Sequence, residues 1–234
     1  MTSSVRSWVV SLGAAVRALS MNMRMSLGVL SLAAFAAAAA PVARAQDAAA
    51  PAAGNAERGA RLAYTCIGCH GVANYKNAVP MYNVPRLRGQ HPEYLVIALQ
   101  AYRSGERSHG TMHANASTLS DQDMADIAAF LSGTPLQPTG KPAGTPPPAA
   151  QVCVSCHGND GVGITPQYPT ISGQHDTYIE RALTDYKKGG RKNPIMAGFA
   201  GQLSEADIKA LAAYFSQQRP ALQIVPPPTR TASR

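Results

Sequence analysis

Apolar residues along this chain recur every three or four positions, not every second one. Behind Pro92, residues Leu95, Leu99 and Tyr102 share one face, and the stretch closes near Gly105. Proline suits the first turn of a helix, where no N–H is needed, and glycine suits the end. A second stripe comprises Met124, Ile127, Ala128 and Leu131. Ser120 and Asp123 precede it at the spacing of a capping box, and Gly133 follows. Asn55 is placed to cap a third helix through Ala60, Leu62 and Ala63. No stretch alternates apolar and polar positions as a half-buried strand does. The pattern predicts an all-α fold.

The same elements then return. NVPRLRGQHPEYL, starting at Asn83, aligns with QYPTISGQHDTYI, starting at Gln167, at an offset of 84 residues. At that offset Pro85, Gly89, Gln90, His91 and Tyr94 become Pro169, Gly173, Gln174, His175 and Tyr178. Tyr102, Gly105, Arg107, Met112, Leu119 and Ser120 become Tyr186, Gly189, Arg191, Met196, Leu203 and Ser204. The last helix is repeated as Ser204 and Asp207 ahead of Ile208, Leu211, Ala212 and Phe215. Such self-similarity predicts two copies of one small domain, residues 54–134 and 151–219. Residues 135–150, PLQPTGKPAGTPPPAA, hold too much proline and glycine for a packed core and predict a stiff, extended linker. Its prolines block a helix running into the second copy from its N-terminal side, so that lead-in should be short or missing. Residues 220–234, with Pro226–Pro228, predict a loose tail. Domains this small are marginal on their own cores.

Charge adds an address. Residues 1–45 contain Arg6, Arg17, Arg24 and Arg44 and no acid. An apolar run from Met25 to Ala40 leads to PVARAQD, where Ala43 and Ala45 fit an A-x-A cleavage site. Residues 1–45 therefore read as a signal peptide, and the chain as a periplasmic protein; the alternative is an uncleaved amphipathic anchor giving peripheral membrane association. The apolar run is short for a membrane span. The four arginines supply half of the formal net charge of +8. The two copies are each nearly balanced, which excludes a basic nucleic-acid-binding stripe.

The chemistry lies in CIGCH, Cys66–His70, and CVSCH, Cys153–His157. C-x-x-C-H is the attachment signature of a c-type haem. Two thiols at this spacing can add to the two vinyl groups of one porphyrin, and the next imidazole then falls beneath the iron. A four-cysteine zinc site wants its second pair some 15–20 residues on, whereas 83 residues separate Cys69 from Cys153. A thioredoxin-like pair wants a βαβ pattern, which is not visible. The two motifs use all four cysteines. They predict two covalently bound haem c groups, with thioethers at Cys66, Cys69, Cys153 and Cys156 and axial imidazoles at His70 and His157.

Methionine opposite histidine stabilises ferrous iron and raises the potential. Met196 is the single methionine of the second copy, and Met112 matches it in the first. Both are expected on loops before the last helix, as sixth ligands. His109 and His113 flank Met112 and compete for that place. Met124 aligns with Ile208 and belongs to the core. The carbonyls of Pro85 and Pro169 are candidates to accept the Nδ1 proton of His70 and His157, or they mark simple turns. His91 and His175 stand at helix starts and read as caps or surface residues, and Tyr94, Tyr102, Tyr178 and Tyr186 as packing on helix or haem. Lys187, Lys188, Arg191 and Lys192 form a basic cluster that either steers an acidic partner or is a solvated turn.

The paired C-x-x-C-H domains, the P-x-x-x-G-Q-H segment in each, and a methionine before each Leu-Ser helix cap together resemble the cytochrome c4 family. The resemblance spans about residues 54–219. It implies a dihaem electron carrier, not an enzyme, made of two class I cytochrome c domains facing each other across a pseudo-twofold interface. It implies His–Met ligation, here His70 with Met112 and His157 with Met196. It further implies redox protein partners, a respiratory donor and a terminal oxidase of the cbb3 type. The rival readings are a dihaem peroxidase, a thiosulfate-oxidising enzyme, and a cytochrome subunit of a membrane dehydrogenase or oxidase.

Overall fold

The computed structural model describes residues 53–227, so the stretch read as a signal peptide lies outside the described residues. In the first half, α1 (Ala56–Leu62) starts where Asn55 Oδ1 accepts the Arg58 N–H at 2.9 Å. The helix α2 (Tyr64–His70) carries the first C-x-x-C-H. Then come α3 (Pro92–Ser104), α4 (Gly110–Ala116) and α5 (Asp121–Ser132). The capping box forms as the spacing predicts, with Ser120 Oγ accepting from Asp123 N and the Asp123 carboxylate accepting from Ser120 N. Helices α1 and α3 both pack on α5. Their shared core buries Leu95, Leu99, Tyr102, Met124, Ile127 and Leu131.

The second half repeats this with α6 (Val154–His157), α7 (Asp176–Lys188), α8 (Pro194–Gln202) and α9 (Glu205–Ser216). Ser204 and Asp207 form the second capping box. Ile179, Leu211, Ala212 and Phe215 are buried between α7 and α9. The lead-in is a short 3-10 turn, Pro148–Val152, where the first half has α1. Among the described residues no helix is long and apolar enough to cross a membrane.

Two expectations need correction and two gain detail. A two-stranded antiparallel hairpin, β1 (Lys76–Asn77) with β2 (Tyr82–Asn83), occupies the loop peculiar to the first half. It is too short to show a period in the sequence. Met112 and Met196 sit within helices α4 and α8, not on loops. The linker is extended but clamped. Thr139 N, Thr139 Oγ1 and Gly140 N all donate to Asp160 Oδ2, at 2.5, 2.8 and 2.9 Å. Ala143 exchanges two hydrogen bonds with the Gln218 side chain, at 2.7 and 2.9 Å.

The tail is the second correction. Residues 220–225 are not loose, since Leu222 and Val225 are fully buried. Leu222 N donates to Ser172 O in the second half, Gln223 exchanges two backbone bonds with Arg88 in the first, and Val225 N donates to His70 O at 3.1 Å. The tail thus straps the second half to the first. Gly89 and Gly173 lie beneath these crossings with φ of 93° and 63°. A Cβ there would meet Leu136 Cγ of the linker at 2.8 Å or Ala221 Cβ of the tail at 2.3 Å. Only glycine tolerates both the backbone conformation and the close approach.

The halves also meet along their repeated segments. Residues 106–108 run antiparallel to 190–192, with Ser108 N donating to Gly190 O and Lys192 N to Glu106 O, each at 2.8 Å. Arg107 faces its own counterpart, Arg191. Residues that match in sequence pair with each other, as a local twofold axis requires.

Candidate functional site

Each C-x-x-C-H lies on a helical turn, which places both thiols of a pair three residues apart on one side. None of the four cysteines is in a disulfide. Burial pushes the Cys66 and Cys153 thiols above their ordinary range. The imidazoles behind them, His70 and His157, are buried. Burial also pushes both below the usual histidine range, against the pull of an accepting carbonyl.

Those carbonyls belong to the two repeated prolines. His70 Nδ1–H donates to Pro85 O at 2.9 Å, and His157 Nδ1–H donates to Pro169 O at 2.8 Å. The proton is thereby fixed on Nδ1. The lone pair of Nε2 is left over, with no hydrogen-bond partner among the described residues. A neutral imidazole held this way is a prepared iron ligand.

A cavity of about 350 Å3 lies against the second motif. Cys153, Cys156, His157, Pro169 and Met196 line it. The other thioether, Met112, and Cys66 are each packed against the first half's buried core. Equivalent caps hold both methionine helices: Met112 N donates to His109 Nδ1 at 3.2 Å, and Met196 N to Asn193 Oδ1 at 3.0 Å. This gives His109 a structural task. With Nδ1 accepting, its hydrogen sits on Nε2. His113 is exposed and donates through Nδ1 to Tyr102 O at 2.8 Å.

The wall shared by the two halves is built from buried guanidinium and phenol groups. Arg107 donates to Tyr94 Oη at 2.6 Å and lies over the rings of Tyr94 and Tyr102. Arg191 donates to Tyr178 Oη at 3.0 Å and lies over Tyr178 and Tyr186. Both arginines are buried. Among the described residues Arg107 has no carboxylate partner, and Arg191 approaches Asp185 only at 3.9 Å. Burial pushes the Tyr102 phenol up to about 12. Burial opposes ionisation of Tyr178 too, yet Arg191 and Arg107 together hold it below the usual phenol range. A buried wall with two guanidinium groups, one without a carboxylate and one with a carboxylate only at 3.9 Å, favours an anion.

Two thiols, a prepared imidazole, a thioether, an apolar cavity and a cationic wall fit a covalently attached porphyrin with its carboxylates. The sequence profile of the family described as Cytochrome c matches residues 56–135 and again 149–219. A cytochrome c4 from Pseudomonas aeruginosa is 36% identical over 184 residues, covering 70% of this chain and 88% of that protein. The chain belongs to the cytochrome c4 family. A thiosulfate dehydrogenase electron acceptor from Thiomonas intermedia is 30% identical over 176 residues, covering 67% of this chain and 79% of that protein. The crystal structure of reduced recombinant cytochrome c4 from Pseudomonas stutzeri superposes with a TM-score of 0.57 at 32% identity, covering 71% of this chain and all of that one. As in the cytochrome c4 family, the chain carries two cytochrome c domains, and its two cysteine pairs mark two covalent haem c groups.

Several residues of the site were not singled out by sequence reasoning. Arg191 was grouped with the basic cluster, but it is buried at the wall, and Lys187 donates to Leu203 O, which leaves Lys188 and Lys192 free and exposed. In the sequence Gln90 and Gln174 stand out only as a repeated pair. Their duplication, like that of Arg107 and Arg191, was the available signal.

Proposed function

We propose that this dihaem cytochrome c4-type electron carrier works in a periplasmic respiratory chain, passing electrons to a terminal oxidase. His70 with Met112 would hold one iron, and His157 with Met196 the other. When bound, each haem supplies a one-electron couple. The chain's own residues do the rest. The thiols would fix the ring, Pro85 O and Pro169 O hold the imidazoles, and α4 and α8 carry the thioethers that would complete each site. Arg107 and Arg191 would receive the porphyrin carboxylates. With a histidine and a methionine both holding each iron, no site would be open to peroxide or thiosulfate, and the chain would transfer electrons without acting as an enzyme.

The observation that carries this is the repetition of the full set in both halves, down to the His Nδ1–H bonds to Pro85 O and Pro169 O. A catalytic dihaem protein needs one half to differ at its sixth position. The test is to mix the reduced, purified protein with membranes from its host and follow its oxidation. Cyanide-sensitive oxidation at the membrane is expected, and oxidation by peroxide alone at a comparable rate would contradict the proposal. The Thiomonas relative favours a second reading of the donor, in which a thiosulfate-oxidising enzyme reduces this protein. Reduction by such an enzyme only in the presence of thiosulfate would support it.

A further inference from the structure

Each peptide that orients an axial histidine is held by the opposite domain. The peptide joining Pro169 to Thr170 uses its carbonyl to accept from His157 Nδ1–H at 2.8 Å. The N–H of that same peptide donates to Gln90 Oε1 at 2.8 Å, and Gln90 Nε2 donates to Thr170 O at 2.8 Å. The mirror arrangement holds the first half. The peptide joining Pro85 to Arg86 accepts from His70 Nδ1–H at 2.9 Å through its carbonyl. Its N–H donates to Gln174 Oε1 at 2.9 Å, while Gln174 Nε2 donates to Arg86 O at 2.9 Å. Both glutamines are buried. Each is anchored at home, because Gln90 Oε1 also accepts from His91 N at 3.1 Å and Gln174 Oε1 from His175 N at 3.0 Å. The pairs therefore tie the start of α3 to the second site and the start of α7 to the first.

We propose that Gln90 and Gln174 are reciprocal positioning residues, each setting the histidine of the other domain through one peptide bond. The peptide is planar and its N–H and C=O are conjugated. Accepting the N–H polarises the carbonyl and makes it a better acceptor, since chained hydrogen bonds reinforce one another. A stronger bond to Nδ1–H makes the imidazole more basic toward metal. A more basic ligand favours ferric iron, so each glutamine lowers the potential of the far haem. Moving one domain relative to the other breaks two such chains at once, one in each direction. The interface is thereby a connection between two redox centres as well as a contact between two folds.

This inference rests on His70 and His157 being the axial ligands. It is tested with Gln90→Leu and Gln174→Leu in the full-length dihaem protein. The potential of each haem is read separately from its hyperfine-shifted proton resonances during a redox titration. Gln90→Leu is expected to raise the potential of the haem at Cys153 and Cys156 more than that of the haem at Cys66 and Cys69, and Gln174→Leu to do the reverse. A shift confined to the mutated domain's own haem, an equal shift in both, or none in a folded variant would overturn it. Should a variant fail to fold, hydrogen exchange of the Thr170 and Arg86 amides in the unaltered protein decides. Protection on the level of core amides is expected, and exchange as fast as in exposed turns overturns the inference. Failure of the ligand assignment is separable, because it shows in the resting spectrum of the unaltered protein, which the loss of crossed coupling leaves intact.

Discussion

The two halves are alike in their site residues, in the seam between them and in their capped last helices, and they differ most in how the chain enters each one. Cysteines, histidine, proline carbonyl, glutamine, tyrosine–arginine pair, methionine helix and capping box recur in both. The lead-ins do not. In the first half α1 is held by the buried carboxylate of Asp126, which accepts from Asn55 N at 2.7 Å and from Arg58. The second half has Ala210 at that position and no helix to hold. Its lead-in is the short 3-10 turn at the end of the linker, and another buried carboxylate, Asp160, holds that linker at Thr139 and Gly140. Three residues behind the motif histidine, where the second half has Asp160, the first half has Ala73. One task, anchoring the entering chain, is met by a carboxylate on the last helix in one copy and by one just after the haem motif in the other. The repeated glutamines of the seam admit less freedom, because each also bonds to the other half.

The comparison breaks most visibly at the cysteines. Replacing either pair with serine should halve the haem content measured as pyridine haemochromogen. The consequences for folding should differ. The buried apolar cluster of the second half is smaller and lacks an α1. Cys153→Ser with Cys156→Ser should therefore cost more helical circular dichroism than Cys66→Ser with Cys69→Ser. Equal losses would mean that the two cores depend on haem alike.

The thioethers come next. Met112→Ala and Met196→Ala should each lower the potential of one haem by something on the order of 0.1 V, within the roughly 0.8 V that axial ligation spans. An unchanged potential for Met112→Ala, with a fall for Met196→Ala, would show the halves to be differently ligated. His109→Asn copies the second half's cap and should leave both potentials near their starting values.

The two carboxylates give a smaller effect. Asp160→Ala leaves the Thr139 and Gly140 N–H groups without an acceptor, which costs about 1–3 kcal/mol and should expose the linker to protease. Asp126→Ala should instead free α1 and leave the linker protected. Both carboxylates lie below the usual range in the folded protein. Hydrogen bonds from Asn55 and Arg58 lower Asp126, and those from Thr139, Val162 and Gly140 lower Asp160 against the cost of its burial. Their stabilisation is complete above the unfolded carboxylate value, about 3.9, and is lost as pH falls through the lower folded values. Stability should fall on acidification below about pH 4, and each Asp→Ala variant should fall less steeply than the parent. The smallest effect belongs to Lys188 and Lys192. Changing both to glutamate should slow electron transfer to an acidic partner at low salt and converge with the parent at high salt.

The elements with a full apolar stripe and a cap were legible in the sequence, namely α3, α5, α7 and α9. So were the haem motifs, because their chemistry is local. The proline carbonyls were legible as candidates, since two prolines recurred at a fixed distance. What the sequence hid was made by contacts across the halves. Gln90 and Gln174 act on backbone 80 and 88 residues away, and no local pattern announces that. The methionine helices escaped because α4 is short and capped by an unusual residue, His109, although Asn193 and Pro194 mark the start of α8. The tail was judged by its prolines, while ALQIV ahead of them carries the two buried anchors, Leu222 and Val225.

Everything turns on whether both halves present a closed coordination site. The direct test is carbon monoxide added to the fully reduced, purified protein at neutral pH, followed by absorption spectroscopy. An unchanged spectrum, with two haems per chain, is the expected result. A carbon monoxide adduct forming promptly in either half would contradict the account, since that half would then hold iron open to a substrate.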